Sequence, residues 1–120
     1  LPFASGSVDA VVCTLTLCSV ADQACVLAEV ARLLKPAGSF LFLEHVLSET
    51  DPSLAAQQRA ATPLQMMAAD GCHLDRRTLR TIEQVPQLKL ADPMEGTANY
   101  FDLPGFYVLS PTVAGIATRV

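Results

Sequence analysis

Two short apolar runs, and the helix-patterned segment between them, restrict the fold of this chain more than any other feature. Val8, Ala10, Val11, Val12 and Cys13 form the first run, led in by Gly6, Ser7 and Asp9; Phe40, Leu41, Phe42 and Leu43 form the second, with no polar residue inside it. Such runs without alternation read as strands buried on both faces, the pattern of a parallel sheet covered by helices. Between them Val26, Leu27, Val30, Leu33 and Leu34 recur as one helical stripe, with Gln23, Glu29 and Arg32 at polar positions. Asp22 is placed to cap this helix by accepting a hydrogen bond from a first-turn amide. Pro36 and Gly38 stop it and turn the chain into the second strand. Strand, helix and strand with short links make a right-handed parallel βαβ unit.

Further along, Asp51 and Pro52 suit the N-cap and first position of a helix running through Leu54 and Gln58, which Pro63 is expected to kink or divide before Met66 and Met67. AADGCHLD is a break, Asp75 is placed to cap a shorter helix carrying Leu79 and Ile82, and Pro86 ends it. Leu88 and Leu90 alternate with Lys89 and Ala91 as a strand; PTVAGIATRV reads as another, its Gly115 allowing close backbone packing. The connection from Gly96 to Gly105, with Asn99, Asp102 and Pro104, is too short for a crossover helix, so these two strands are expected as an antiparallel pair at the sheet edge. Two buried strands and one helix cannot cover both faces of their own sheet. The expected architecture is therefore a partial α/β domain, completed by N-terminal elements or by another chain.

Composition narrows the functional classes. With 120 residues, 51% apolar and 17% charged, the chain is one small globular domain rather than a disordered segment. A net charge of −4 with eight scattered Lys and Arg leaves no basic stripe to neutralise phosphates, so nucleic acid is not an expected partner. The longest apolar stretches are too short to span a bilayer; membrane association is expected only through an N-terminal segment outside this sequence. Cys13, Cys18, Cys25 and Cys72 form no CxxC pair, a spacing that supports neither a zinc knuckle nor a disulfide framework. Reduced cysteines in an intracellular protein, cytoplasmic or peripheral to an internal membrane, and no metal, are the reading.

LPFASGSVDAVVCTLTLCSV followed by LAEVARLLKPAGSFLFLEHV resembles the second half of the Rossmann-like class I S-adenosylmethionine-dependent methyltransferase fold. That family carries a related LPF and Asp-Val-Val pattern on its fourth strand and a Leu-Lys-Pro-Gly-Gly turn before its fifth. LCSV, EHV and DGCHLDRRTLRTIE are similar to the methyltransferase-like small-molecule methyltransferases, whose animal members act on alkyl thiols. Here Ala37 replaces the first glycine of the turn, at little expected cost because Gly38 remains. No GxGxG sequence occurs. The resemblance thus implies that residues 1–120 are the C-terminal portion of one methyltransferase domain, without the glycine-rich cofactor loop and unaided by it inactive.

Ligands of open parallel sheets sit beyond the carboxyl ends of the strands. That rule, with the resemblance, selects Thr14, Leu15, Thr16 and Leu17 as the contact region for S-adenosylmethionine, and Glu44, His45 and Val46 after the second strand. His45 is the candidate catalytic base, with the alternative that it bonds a backbone carbonyl; Glu44 is a candidate pocket residue or a loop anchor. Met66 and Met67, together with Asp70 and His73 of DGCHL, are the remaining candidates for a small-molecule substrate pocket, against plain core and a helix-ending turn. The implied reaction is methyl transfer to a small molecule such as a thiol. The competing readings are a methyltransferase of the quinone-biosynthesis type and a non-catalytic α/β interaction module; oligomeric state is left open.

Overall fold

The computed structural model describes residues 1–97 and 106–120. Its elements are β1 (Val8–Thr14), α1 (Gln23–Leu33), β2 (Leu34–His45), α2 (Pro52–Ala68), α3 (Thr78–Glu83), β3 (Leu88–Thr97), a 3-10 turn (Phe106–Leu109) and β4 (Pro111–Arg119). The strands form one sheet in the order β1-β2-β4-β3, with β1 and β2 parallel and β4 antiparallel to both its neighbours. The βαβ unit and the antiparallel pair therefore both form, and β4 inserts between β2 and β3. Gly96 and Thr97 belong to β3; the rest of the expected loop, with Asn99, Asp102 and Pro104, lies outside the described residues.

Helix α1 starts where its cap predicts, the Asp22 carboxylate accepting from the amides of Ala24 and Cys25 at 2.8 and 3.2 Å. Leu27, Val30, Ala31 and Leu33 turn inward, and burying a leucine such as Leu27 contributes about 2 kcal/mol. Two assignments change. Leu34 opens β2 instead of closing the helix, and Gln23 is buried because its amide donates to the Leu17 carbonyl and the Thr78 hydroxyl.

Helix α2 is capped by Asp51, which accepts from Ser53 and Leu54, with Pro52 in the first turn. Contrary to expectation it runs through Pro63 unbroken. A proline removes one ladder bond, and the buried side of the helix is tied on the turn before it: the Thr62 hydroxyl donates to the Gln58 carbonyl at 2.8 Å. Asp75 does not cap α3 either. Arg77 holds the cap position with no side-chain hydrogen bond, and the Arg76 carbonyl accepts the Leu47 amide, so the chain crosses the exit of β2 before it turns helical.

The core lies on one face of the sheet, where Phe40, Phe42, Val113 and Ala117 pack against α1 and α3. Gly115 serves this packing: a Cβ there would meet the Phe42 ring at 2.8 Å. The expectation of burial on both faces is corrected by the other side. Val12, Leu41 and Ile116 stand in register as an apolar row across three strands, with Val12 70% and Ile116 46% exposed. The helices of the described residues that pack on the sheet do so from the core side.

The predicted turn at Pro36 to Gly38 survives as a bulge within β2. Val8 pairs with Leu34 and Ala10 with Ser39, so Lys35 to Gly38 loop out opposite Asp9, closed by a 2.8 Å Lys35–Asp9 ion pair. The positive φ of the bulge, 64°, falls on Ala37, while a Cβ on Gly38 would meet the Lys35 carbonyl at 2.8 Å. Alanine at 37 is thus strained, and the remaining glycine cannot relieve it. Ala37→Gly is expected to raise unfolding stability by about 1 kcal/mol, and Gly38→Ala to lower it by ~1–3 kcal/mol, both read as shifts of the urea midpoint at constant slope.

Candidate functional site

At the carboxyl end of β1 the chain cannot continue as strand: Leu15 adopts φ 50° while its amide still bonds the Leu43 carbonyl at 2.8 Å. The loop that follows is gripped by Glu44. This side chain is fully buried, and its Oε1 accepts from the amides of Thr16 at 2.9 Å and Leu17 at 3.1 Å and from the Cys13 thiol at 3.4 Å. Burial and then the Glu44 charge push the Cys13 thiol up to about 11, so it stays a protonated donor.

The loop is held from its other side by the segment after α2. The chain reverses there through Asp70 and Gly71, at φ 51° and 81°. His73 then donates its amide to the Cys18 carbonyl at 2.7 Å, and Arg76 spans the carbonyls of Leu17 and Val20 at 2.6 and 2.5 Å. At the exit of β2, Gln58 is fully buried, accepting from Ser48 and donating to Val46 and Val108, which fixes α2 over this end of the sheet.

These ties border an open cavity of about 320 Å³ beyond the carboxyl ends of β1 and β2. Leu15, Ala69 and Leu109 supply apolar wall; Cys18, His45 and Cys72 supply chemistry, with Ser19 and Gln65 beside them. His45 Nε2 lies 3.0 Å from Cys72 Sγ, and its Nδ1 is buried without a hydrogen-bond partner among the described residues. The three ligand-type atoms of Cys18, His45 and Cys72 lie within 4.8 Å of one another, all in buried residues. The hydrogen bond from Cys18, helped by Gln65, Ser19 and the Arg76 charge against the effect of burial, lowers the Cys72 thiol to about 7. The same bond, with burial, raises Cys18 to about 12.

The predicted residues distribute unevenly around this cavity. His45 lines it, as does Leu15. Thr14 and Thr16 are exposed beside it, whereas Leu17 sends its side chain into the core. Glu44 lies beneath the loop as its anchor and does not line the cavity. Met66 and Met67 are exposed, Met67 to 86%, because the helix presents Gln65 and Ala69 to the cavity instead. Asp70 is an exposed turn residue, and His73 turns its Nδ1 to the Cys18 carbonyl at 3.2 Å. Cys72 pairs with distant His45 rather than adjacent His73. The expectation of no metal rested on spacing along the chain, and the fold gathers a Cys-His-Cys set of ligand-type atoms from three segments. A larger cleft of about 520 Å³, edged by the Glu49–Arg80 ion pair, holds Val46 alone of the site residues selected from the sequence.

An open sheet whose site lies beyond the carboxyl ends of its parallel strands, followed by an antiparallel closing pair, defines the class I methyltransferase fold. Solved structures agree: the [4+2]-cyclase SpnF superimposes with a TM-score of 0.74 at 14% identity, covering 99% of this chain and 52% of that one. A geranyl diphosphate methyltransferase in complex with S-adenosylmethionine does so with 0.68 at 20% identity, covering 100% and 54%. One of these is a cyclase and the other a methyltransferase, so the likeness carries fold and not reaction. In sequence, the family described as a methyltransferase domain matches residues 1–42. Thiol S-methyltransferase TMT1A of Homo sapiens is 44% identical over 87 residues, 72% of this chain and 36% of that protein. Thiol S-methyltransferase TMT1B of Rattus norvegicus is 46% identical over 81 residues, 68% and 33%. The chain has the class I methyltransferase fold and is similar to these thiol S-methyltransferases, of whose length it spans about a third.

Glu44→Ala is expected to cost about 3 kcal/mol by stranding the amides of Thr16 and Leu17, the second of them buried, and to speed hydrogen exchange at Thr16 and Leu17 more than in α1. In chelator-treated protein, iodoacetamide labelling of Cys72 should rise roughly tenfold between about pH 6 and pH 8, as its thiol ionises. Cys18 should stay unlabelled over that window, which peptide mapping by mass spectrometry distinguishes.

Proposed function

We propose that residues 1–120 form the acceptor-side, C-terminal portion of a methyltransferase domain that transfers a methyl group to a small thiol. The observation that carries this reading is the cavity that places an imidazole and two thiols next to Leu15 in the loop beyond β1. The 42–46% identity to thiol S-methyltransferases over about two thirds of the chain supports the acceptor class. The exposed turn from Thr14 to Thr16 beside that cavity fits a cofactor edge, and these residues with Leu15 would hold part of S-adenosylmethionine. That group, when bound, supplies the methyl on its sulfonium.

In-line displacement asks the chain to align the acceptor sulfur, exclude water and take up the acceptor's proton. Leu15, Ala69 and Leu109 line the approach with apolar surface that suits a short alkyl thiol. The proton demand falls on the cavity's polar groups, His45 Nε2 and the Cys18 and Cys72 sulfurs. As the acceptor sulfur forms its bond to the methyl carbon, the methyl–sulfonium bond breaks. The four free thiols support an intracellular, reducing setting.

The protein containing this chain should convert alkyl thiols to thioethers, with one S-adenosylhomocysteine per product, and leave matched alcohols unmethylated. His45→Ala should lower kcat/KM by ~100-fold or more. Methylation of alcohols but not thiols, or of neither, would overturn the reading.

A further inference from the structure

We propose that Cys18, His45 and Cys72 form a zinc site with three protein ligands, whose fourth position, facing the cavity, takes the sulfur of the acceptor thiol. The argument starts from donor type. Two thiolates and an imidazole are the soft and borderline ligands that select zinc over calcium or magnesium, and no carboxylate joins the set. Metal–ligand lengths of about 2.3 Å to sulfur and 2.0–2.1 Å to nitrogen place the corners of a zinc tetrahedron roughly 3.5–3.8 Å apart. The three donor atoms here already lie within 4.8 Å of one another, with the closest pair, His45 Nε2 and Cys72 Sγ, at 3.0 Å. An ion between them needs only small side-chain rotations.

The ligands are also held independently. Cys18 sits on the loop anchored by Glu44 and Arg76, His45 closes β2, and Cys72 follows the Asp70–Gly71 turn. Three ligands on three segments, all buried, are a preformed arrangement. A fourth ligand is missing among the described His, Cys, Asp and Glu residues, and the same atoms line an open cavity. Three protein ligands with one open position is the pattern of a reactive zinc site, as opposed to a closed structural one.

The role follows from coordination chemistry and rests on the thiol-methylating reading above. A thiol bound to zinc is deprotonated outright, its proton leaving to solvent as the zinc–sulfur bond forms. A lone pair of that sulfur then forms the bond to the methyl carbon, and the electron pair of the methyl–sulfonium bond returns to the donor sulfur. The product is a neutral thioether, a weaker ligand than the thiolate, and it leaves. No oxidant or reductant is needed; with the ion bound, the proton demand placed above on the cavity's polar groups passes to solvent, and His45 acts as a ligand.

The test is zinc titration of the protein containing this chain against a chromophoric chelator, together with cobalt substitution. One zinc per chain is expected, weakened ~100-fold or more in Cys18→Ser and Cys72→Ser, and unchanged in Cys25→Ser, which alters an exposed thiol on α1. Bound zinc should protect Cys72 from iodoacetamide. The cobalt form should show thiolate-to-metal charge transfer, and ethanethiol should shift its ligand-field bands. Should a serine variant fail to fold, the charge-transfer band of the unsubstituted protein decides. Absence of stoichiometric zinc, or zinc indifferent to both serine substitutions, overturns the site. No ethanethiol shift, or full activity after stripping the metal, overturns the acceptor role while leaving thiol methylation standing. Zinc and ethanethiol bound at these ligands without thioether formation would uphold the site and reject the methyl-transfer reading instead.

Discussion

The buried carboxylate of Glu44 is the constraint on which the site depends. A charged group with no exposure is costly unless its lone pairs are used, and Glu44 spends one oxygen on the amides of Thr16 and Leu17 and on the Cys13 thiol. Those amides belong to a loop that leaves β1 through a left-handed Leu15, where no strand partner could satisfy them. The carboxylate therefore replaces the lost ladder. It joins the ends of two parallel strands, and so sets the distance between Cys18 on the loop and His45 on the strand.

A second set of bonds closes the arrangement from outside. Arg76 takes carbonyls of Leu17 and Val20, Gln23 takes the other approach to Leu17, and the His73 amide takes Cys18. Each of these groups comes from a helix or turn on the periphery and pays for its burial with a backbone partner in the loop. The result is a short segment fixed on both sides, with the Cys72 sulfur delivered to the imidazole by a turn that needs two consecutive positive φ values. Rigid placement of this kind is what a ligand set or a reacting sulfur requires.

Much of the scaffold was legible because its signals are local. The caps Asp22 and Asp51, the stripe from Leu27 to Leu33, and the strand carrying Gly115 depend on neighbours a few residues away. Two of the misreadings share one cause, a long-range partner that overrode a local preference. Gln23 went inside because Leu17 and Thr78 met its amide, and Asp75 lost its capping role because Arg76 was committed to the β2 exit. Of the two roles open to Glu44, the loop anchor is the one the contacts favour, its Oε1 being claimed by amides of the loop beyond β1.

The sequence alone determined the parallel βαβ unit, the start of its helix, the family resemblance and the end of the sheet where the candidate site lies, since periodicity, capping and strand polarity are properties of contiguous residues. Tertiary structure decided which side chains meet there. Cys18, His45 and Cys72 carry no spacing that links them, and their meeting depends on the loop grip of Glu44, the strand register and the Asp70–Gly71 reversal acting together. Contacts between distant segments are set by packing and hydrogen-bond satisfaction in three dimensions, and no pattern along the chain encodes them.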